Sequence, residues 1–399
     1  MSLISVDDAM AATLDGIVPL KRNGRVPLAD ADGLVLAETV RASRDQPPFP
    51  ASAMDGYAVR HADVQVGGVL EVIGVAAAGY PFDGAVAKGE CVRIFTGAPV
   101  PHGADAVLIQ ENAEREGDVI VPTEPVEDGR YVRVAGLDFR AGNVLADAGT
   151  IIDAGMLCLL ATANVADPLV RARPRVALIA TGDELVPLGA SPSAAQIVSS
   201  SVLGVRSILR EVGAEVIEIG IAADTSDSLG AALDRAIAAD ADLVVTLGGA
   251  SVGDHDLVRP VFAARGVKLA FEKVAMRPGK PLMHGRDGER SYLGLPGNPV
   301  SSLVCARIFG QPLVARLGGR PFRHRWVAAT LGRDLPANDH REEYMRAMVT
   351  HGTPPVVTPV LHQDSSLTSR YAQADALVRR PANAPPSKVG DPCMALFVR

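Results

Sequence analysis

The stretch from Leu243 to Asp256, Leu-Val-Val-Thr-Leu-Gly-Gly-Ala-Ser-Val-Gly-Asp-His-Asp, leaves few options for the fold around it. Its opening run is almost wholly apolar, the pattern of a strand buried on both faces of a parallel sheet. The run breaks at Gly248-Gly249, and a helix is expected from about Asp256. A strand that ends in glycines and turns into a helix makes an anion site. Backbone N–H groups can approach a phosphate with no Cβ in the way, and the helix N-terminus adds partial positive charge. Asp254 and Asp256 sit at the same spot, and acids beside a phosphate cradle are unfavourable unless a cation such as Mg²⁺ lies between. Taken alone, the stretch reads equally well as a glycine turn with an N-cap aspartate. Its spacing matches neither the dinucleotide fingerprint nor the P-loop.

Its neighbours decide the matter. Residues 172 to about 318 read β-α-β-α-β: strands at Arg175–Ala180, Glu215–Ile221, Leu243–Leu247, Val267–Val274 and Arg290–Leu295, with helices at Ser201–Val212, Ser226–Ala239, Asp256–Ala264 and, after Pro296–Ser301, to about Leu317. This predicts an open α/β sheet, in which ligands bind beyond the carboxyl ends of the strands. Glu184, Asp224, the Gly248–Gly253 loop with Gly249 and Ser251, Asp256, and Pro296-Gly297-Asn298-Pro299-Val300-Ser301 all follow strands on that edge. The segment Glu272–Pro281 adds Lys273, Arg277 and Lys280 just after a strand. A solvated basic turn is the plain alternative. A chain of net charge −7 that concentrates cations there favours anion binding instead.

The flanks differ in character. Residues 1 to about 45 read as helical: Ser5 and Asp8 form a capping pattern, Val6, Met10 and Leu14 keep helical spacing, and a second segment spans Ala31 to Ala42. Short β-prone runs separated by Gly, Pro and Asp turns fill 46 to about 144, predicting an inserted β domain. Its loops carry Ser52–Val59 with Asp55, Phe95–Pro101 with Thr96, and Arg133–Asp138. Helical character returns over 145–171, so 1–45 and 145–171 together form an N-terminal helical, dimerisation layer around the insertion. A small β domain is expected over 319–399, where Arg341–Arg346 reads as an alternating exposed strand and Gln363–Ser366 as a cap or turn. The acidic balance argues against general nucleic-acid binding. Four scattered cysteines make no zinc spacing and read as thiols of a reducing compartment. No apolar run reaches transmembrane length, so a soluble cytoplasmic protein without membrane contact is expected.

Together these motifs resemble the molybdopterin molybdenumtransferases, the MoeA family, whose eukaryotic relatives include the gephyrin C-terminal domain. The matching stretches are Ser52–Val59, Thr96–Pro99, Gly136–Asp138, Thr181–Leu185, Gly248–Asp256, Arg277–Pro281 and Pro296–Ser301, in order along essentially the whole chain. The resemblance implies a helical layer interrupted by a β insertion, an α/β molybdopterin-binding domain and a C-terminal β domain. It also implies a homodimer with each site built from both subunits, and contacts with the adenylyltransferase and molybdoenzyme maturation factors. The implied reaction takes adenylylated molybdopterin and molybdate, releases AMP, and leaves molybdenum on the pterin dithiolene.

Roles follow from residue chemistry. Gly248, Gly249, Ser251 and Gly253 would hold a phosphate, and Glu184 and Asp256 a Mg²⁺ ion, with Asp224 alongside. Lys273, Arg277 and Lys280 would bind phosphate and molybdate charge. Pro296, Gly297, Asn298, Pro299 and Ser301 would shape the pterin pocket. By resemblance, Asp55, Thr96, Arg133 and Asp138 would reach the partner subunit's site, and Arg346 with Ser365 or Ser366 would meet the oxyanion. The chain departs from the family pattern at Gln196–Ser201, where relatives often carry Asp and Asn, and at Leu137, which replaces a common acid. Two other readings stay open: an adenylyltransferase acting one step earlier, against which the β insertion and C-terminal domain speak, and a gephyrin-like scaffold, for which no receptor-binding segment is apparent.

Overall fold

The computed structural model describes residues 3–249, 257–288 and 290–399. At its centre lies a six-stranded sheet of β1 (Arg175–Thr181), β2 (Glu215–Ala222), β3 (Leu243–Leu247), β4 (Lys268–Phe271), β5 (Met283–Arg286) and β6 (Ser291–Leu295). The spatial order is β2-β1-β3-β6-β5-β4. The first four of these run parallel, while β5 and β4 fold back as an antiparallel edge. Side chains alternate across the strands. Val176, Leu178, Leu243, Val245 and Leu247 pack on one face, against helix α1 (Ser201–Arg210) and the long helical stretch that starts with α4 (Pro299–Cys305). Ala177, Ile179 and Val244 pack on the other, against α2 (Ser226–Ala238) and α3 (Val258–Ala264). Both faces are covered, which is why β3 has no exposed residue and reads as an unbroken apolar run.

The N-terminal region is more extended than its sequence suggests. Val6–Leu14 is a helix, with Ser5 capping the Asp8 N–H as expected, but it packs into the α/β core through Val6 and Ala9. The segment Ala31–Ala42 is not helical. A short 3₁₀ turn precedes it, and Val40–Arg41 pairs with Val144–Ala146. The β-branched pair Thr39-Val40 and Gly33 with its positive φ favour extended chain and turn over helix. Asn23–Arg25 likewise pairs with Leu169–Arg171. These ribbons and the helix Ala154–Thr162 enclose a separate core around Leu36, Ile152, Leu160 and Val170.

The insertion folds as the expected β domain, a six-stranded sheet with apolar clusters on both faces. In the C-terminal domain, Glu342–Thr350 pairs with both Val356–Pro359 and Ala376–Arg380, and Trp326–Leu331 and Pro392–Phe397 complete the ring, so the sheet closes into a barrel. Arg341–Arg346 therefore does not alternate toward solvent. Glu342 to Arg346 are all buried, with Glu342 paired to Arg379, Glu343 paired to Arg277, and Arg346 bonded to backbone carbonyls. The α/β domain lends one strand to this sheet, Met276–Arg277 beside Glu342-Glu343. No helix among the described residues is long and apolar enough to cross a membrane.

His284 on β5 makes stability depend on pH. Its ring is almost completely buried beside Phe271, and neither ring nitrogen has a partner among the described residues. Burial, reinforced by the Arg286 charge, holds its pKa down to about 4. The unfolded chain takes up a proton near pH 6.5 while the native imidazole stays neutral, so stability present above that pH is lost as pH falls toward 4. The expected loss is about 3 kcal/mol, at about 1.4 kcal/mol per unit. Denaturant unfolding at pH 7.5 and 4.5 should show it, and His284→Leu should flatten that difference; an unchanged pH dependence would remove His284 as the source.

Candidate active site

The parallel strands deliver their carboxyl ends to one edge, and the predicted loops meet there. Gly248 donates its N–H to the Leu295 carbonyl (3.1 Å), joining the loops after β3 and β6. At φ +100°, a methyl group on Gly248 would fall 2.5 Å from the Thr181 carbonyl oxygen. The backbones after β1 and β3 are thus in direct contact. The Thr181 hydroxyl donates to Asp224 (2.9 Å), and the Asp224 N–H donates to the Asp183 carboxylate (2.9 Å), tying the loops after β1 and β2 together. Glu184 is exposed and projects its carboxylate back over Gly182; its carbonyl accepts the Ile197 N–H (2.8 Å), while the carboxylate accepts no hydrogen bond from the described residues. Thr181 and Asp183 were not singled out by sequence reasoning. Their position on either side of the strand-ending Gly182 was the available signal.

After β6, Pro296 is buried and Gly297 and Asn298 are exposed. Pro299 opens α4 at its first turn, where its missing N–H costs nothing. Ser301 is 4% exposed and faces the core, so it supports the turn and does not line the edge. The Asn298 side chain, instead of capping its helix, donates to the Ser365 hydroxyl (2.9 Å), and the Val300 N–H donates to the Ser365 carbonyl (3.0 Å). The C-terminal domain thereby reaches the strand-end edge. Ser365→Ala removes one such hydrogen bond, worth about 1 kcal/mol. Substrate KM should rise about fivefold with stability lowered by no more than about 1 kcal/mol, and an unchanged KM would separate this contact from binding.

Two predicted basic residues are placed differently from expectation. Arg277 is already neutralised: its guanidinium grips Glu343 (3.0 and 2.8 Å) with Asp339 at 3.8 Å, and the Glu343 hydrogen bond raises its pKa further. Arg346 is wholly buried, with Nη2 on the carbonyls of His362 (3.3 Å) and Asp364 (3.0 Å), and burial lowers its pKa. With Gln363, whose side-chain amide bonds the Arg346 and Val360 backbone, it fastens the loop that presents Ser365. The Arg346 Nε and Nη1 have no protein partner among the described residues. Ser366 is exposed and donates its hydroxyl to Asp364 (2.6 Å). Lys273 and Lys280 stay uncompensated among the described residues, held at the two ends of a loop closed by the Val274 N–H to Lys280 carbonyl bond (3.0 Å). Ser251, Gly253, Asp254 and Asp256 lie outside the described residues.

A second cluster forms on the insertion. Asp55 Oδ1 accepts both the N–H (2.7 Å) and the hydroxyl (2.8 Å) of Thr96, which lowers its pKa, the backbone bond contributing most. Ser52 N–H bonds Ala98, and Ala51-Ser52 pairs with Val132-Arg133, so the loops of Asp55, Thr96 and Arg133 are laced together. Asp138 is anchored through its N–H to the Gln46 carbonyl (2.9 Å). Gly56 is obligatory because a Cβ there would overlap the Leu108 carbonyl. Arg93, unnoticed in the sequence, lies over the Tyr57 and Phe95 rings at 5.2 and 4.7 Å and donates to the Gly56 carbonyl (2.9 Å). Arg133 and Asp138 are exposed, as are the apolar neighbours Met54, Phe95, Val134 and Leu137. Among the described residues, no hydrogen bond or ion pair joins the side chains of this cluster to those at the strand ends.

Three family models match in succession. They are the MoeA N-terminal region (domain I and II) over residues 4–164, the probable molybdopterin binding domain over 177–316, and the MoeA C-terminal region (domain IV) over 328–397. A molybdopterin molybdenumtransferase of Nostoc sp. is 38% identical over 331 residues, covering 80% of this chain and 76% of the relative. Molybdopterin molybdenumtransferase 2 of Mycobacterium tuberculosis is 35% identical, covering 84% and 85%. The crystal structure of a molybdopterin biosynthesis MoeA protein from Pyrococcus horikosii superposes with a TM-score of 0.86 at 28% identity, covering the whole of both chains.

Proposed function

The chain belongs to the molybdopterin molybdenumtransferase family and is a transferase that inserts molybdenum into molybdopterin; from that premise we propose that its substrate arrives adenylylated and that AMP is released as molybdenum is transferred from molybdate. The observation that carries this reading is the convergence of Thr181–Glu184, Asp224, Gly248-Gly249 and Pro296–Asn298 on one sheet edge, with Ser365 of the C-terminal domain bonded to it.

The site's donors fit Mg²⁺. Glu184 and Asp224 offer hard carboxylate oxygens, and no cysteine or histidine competes in the described strand-end loops. Glu184 and Asp256 would hold the ion, which neutralises phosphoanhydride charge when bound. The chain's own groups do the positioning. With the Gly248 N–H committed to the Leu295 carbonyl, the backbone N–H of Gly249 orients a phosphate, and the contact of that loop with Thr181 keeps it aimed. Lys273 and Lys280 draw the two anions together. Arg277 takes part through its exposed edge, with Glu343 fixing its plane. Arg346, with two donors unpartnered among the described residues, is kept in this reading as the oxyanion-facing cation of the C-terminal domain.

Asp55, Thr96, Arg133 and Asp138 serve the site of a second subunit in a homodimer. Their exposed polar cluster ringed by apolar side chains is the support for this. The protein acts in the cytoplasm, in keeping with four free cysteines.

The test is AMP release from adenylylated molybdopterin with Mg²⁺, with and without molybdate. Molybdate-stimulated release with a metal-bearing pterin product is expected. Tight binding without cleavage would indicate a scaffold, and synthesis of adenylylated pterin from molybdopterin and ATP would move the protein one step earlier.

A further inference from the structure

We propose that His61, Asp105 and Asp128 on the β insertion form a binding site for a divalent transition cation of the Zn²⁺ or Co²⁺ kind, separate from the transfer site. The His61 Nδ1 lies 2.9 Å from Asp105 Oδ2 and 3.8 Å from Asp128 Oδ1, and the three donor atoms fall within 4.8 Å of one another. Ligands about 2.0–2.1 Å from a tetrahedral zinc stand about 3.3 Å apart. Both measured separations are within about half an ångström of that, one slightly closed and one slightly open.

A hydrogen-bonded His–Asp pair accounts for only part of the cluster. The neutral ring has one N–H at Nδ1, which serves Asp105. Asp128 faces the same nitrogen and takes no hydrogen bond from the described residues. A cation bound between them satisfies both carboxylates. Imidazole with two carboxylates suits Zn²⁺ or Co²⁺ better than Mg²⁺, which prefers oxygen alone.

The backbone holds the ligands in place. The His61 N–H fixes Asp105 Oδ1 (2.6 Å) and leaves Oδ2 toward the ring. Asp105 N–H bonds Val59 and Gly129 N–H bonds the Asp105 carbonyl, so the three ligand loops are cross-linked without metal. The side chains of His61 and Asp105 are about 40% exposed and that of Asp128 is 75% exposed, which gives an ion open access. On binding, Nδ1 donates its lone pair to the ion and the ring proton resides on Nε2.

The experiment is calorimetric titration of the full chain, stripped with EDTA, with Zn²⁺, repeated with Co²⁺ followed by visible absorption. One equivalent is expected, with a Co²⁺ spectrum free of thiolate charge transfer. Asp128→Asn should weaken Zn²⁺ binding at least tenfold. Its side chain is 75% exposed and supports nothing else, so the variant keeps the fold. His61→Gln should weaken it as much, and Cys158→Ser should leave it unchanged. Absence of Zn²⁺ binding, unchanged affinity in Asp128→Asn and His61→Gln, or loss in Cys158→Ser would overturn the site. None of these readouts depends on molybdenum transfer.

Discussion

Gly248→Ala costs the protein about 4 kcal/mol and abolishes binding of the adenylylated pterin. Two effects add. An L-residue held at φ +100° is strained by about 1–3 kcal/mol. The new methyl group also meets the Thr181 carbonyl oxygen at 2.5 Å, and a backbone atom cannot rotate aside as a side chain would, so overpacking adds about 1–3 kcal/mol. Relief requires the β1 and β3 ends to separate, which would displace the Gly249 N–H proposed to face the phosphate. Gly297→Ala is the internal control. Its methyl group would stand 3.5 Å from the Gly248 Cα, an ordinary contact, so stability should change by less than about 0.5 kcal/mol. Urea unfolding and pterin-nucleotide binding measure both variants. Equal stability for the two would show that the β1–β3 contact does not set the geometry of the edge.

Asp55→Ala should lower turnover about a hundredfold, the usual consequence of an ångström-scale misplacement in a positioned site, with thermal stability unchanged. Asp55 holds Thr96 through two hydrogen bonds, one to backbone and one to hydroxyl. Thr96→Ala removes only the second, so about a tenfold loss is expected. Equal losses would make the hydroxyl, and not loop position, the active feature. The pair also tests the shared site. Mixing Asp55→Ala subunits with Glu184→Gln subunits should recover about a quarter of wild-type activity, because half the dimers form with one undamaged site each. No recovery would place Asp55 and Glu184 in the same subunit's site.

The central sheet was legible because three of its four parallel strands, Arg175–Thr181, Leu243–Leu247 and Ser291–Leu295, are almost wholly buried. Leu243–Leu247 and its turn are plain in the sequence for that reason. The antiparallel edge was less so. Met283–Arg286 follows a proline-bound loop and carries His284 and Gly285, which hide a strand. In the N-terminal layer the helices Val6–Leu14 and Ala154–Thr162 form as expected, but Ala31–Ala42 does not, because Leu34–Leu36 suits either structure and pairing with distant partners such as Ile151 and Val170 decides it. Gly248, whose place at the strand end is set by the backbone, could be picked out directly; the Ser365 partner of the Asn298 amide could not. Those set by distant partners could not. The sequence shows the charges of Arg277 and Arg346 but not Glu343 or the 360–366 carbonyls that occupy them. Nor does it show that Asp55 belongs to Thr96, 41 residues away.

The interleaving of the chain has a practical bearing on dissection. Val6 and Ala9 seal the α/β core from outside its own stretch of sequence, Ile4 bridges Val274, and Met276–Arg277 leaves that stretch to join the C-terminal sheet. A fragment cut at 172 and 318 would carry an open apolar face and an orphan strand. An independently expressible version should retain residues 3–20 by fusion. Removing the C-terminal barrel would uncover Met276 and cast off the carboxylate that holds Arg277, so the modules visible along the sequence are not the units in which this molecule comes apart.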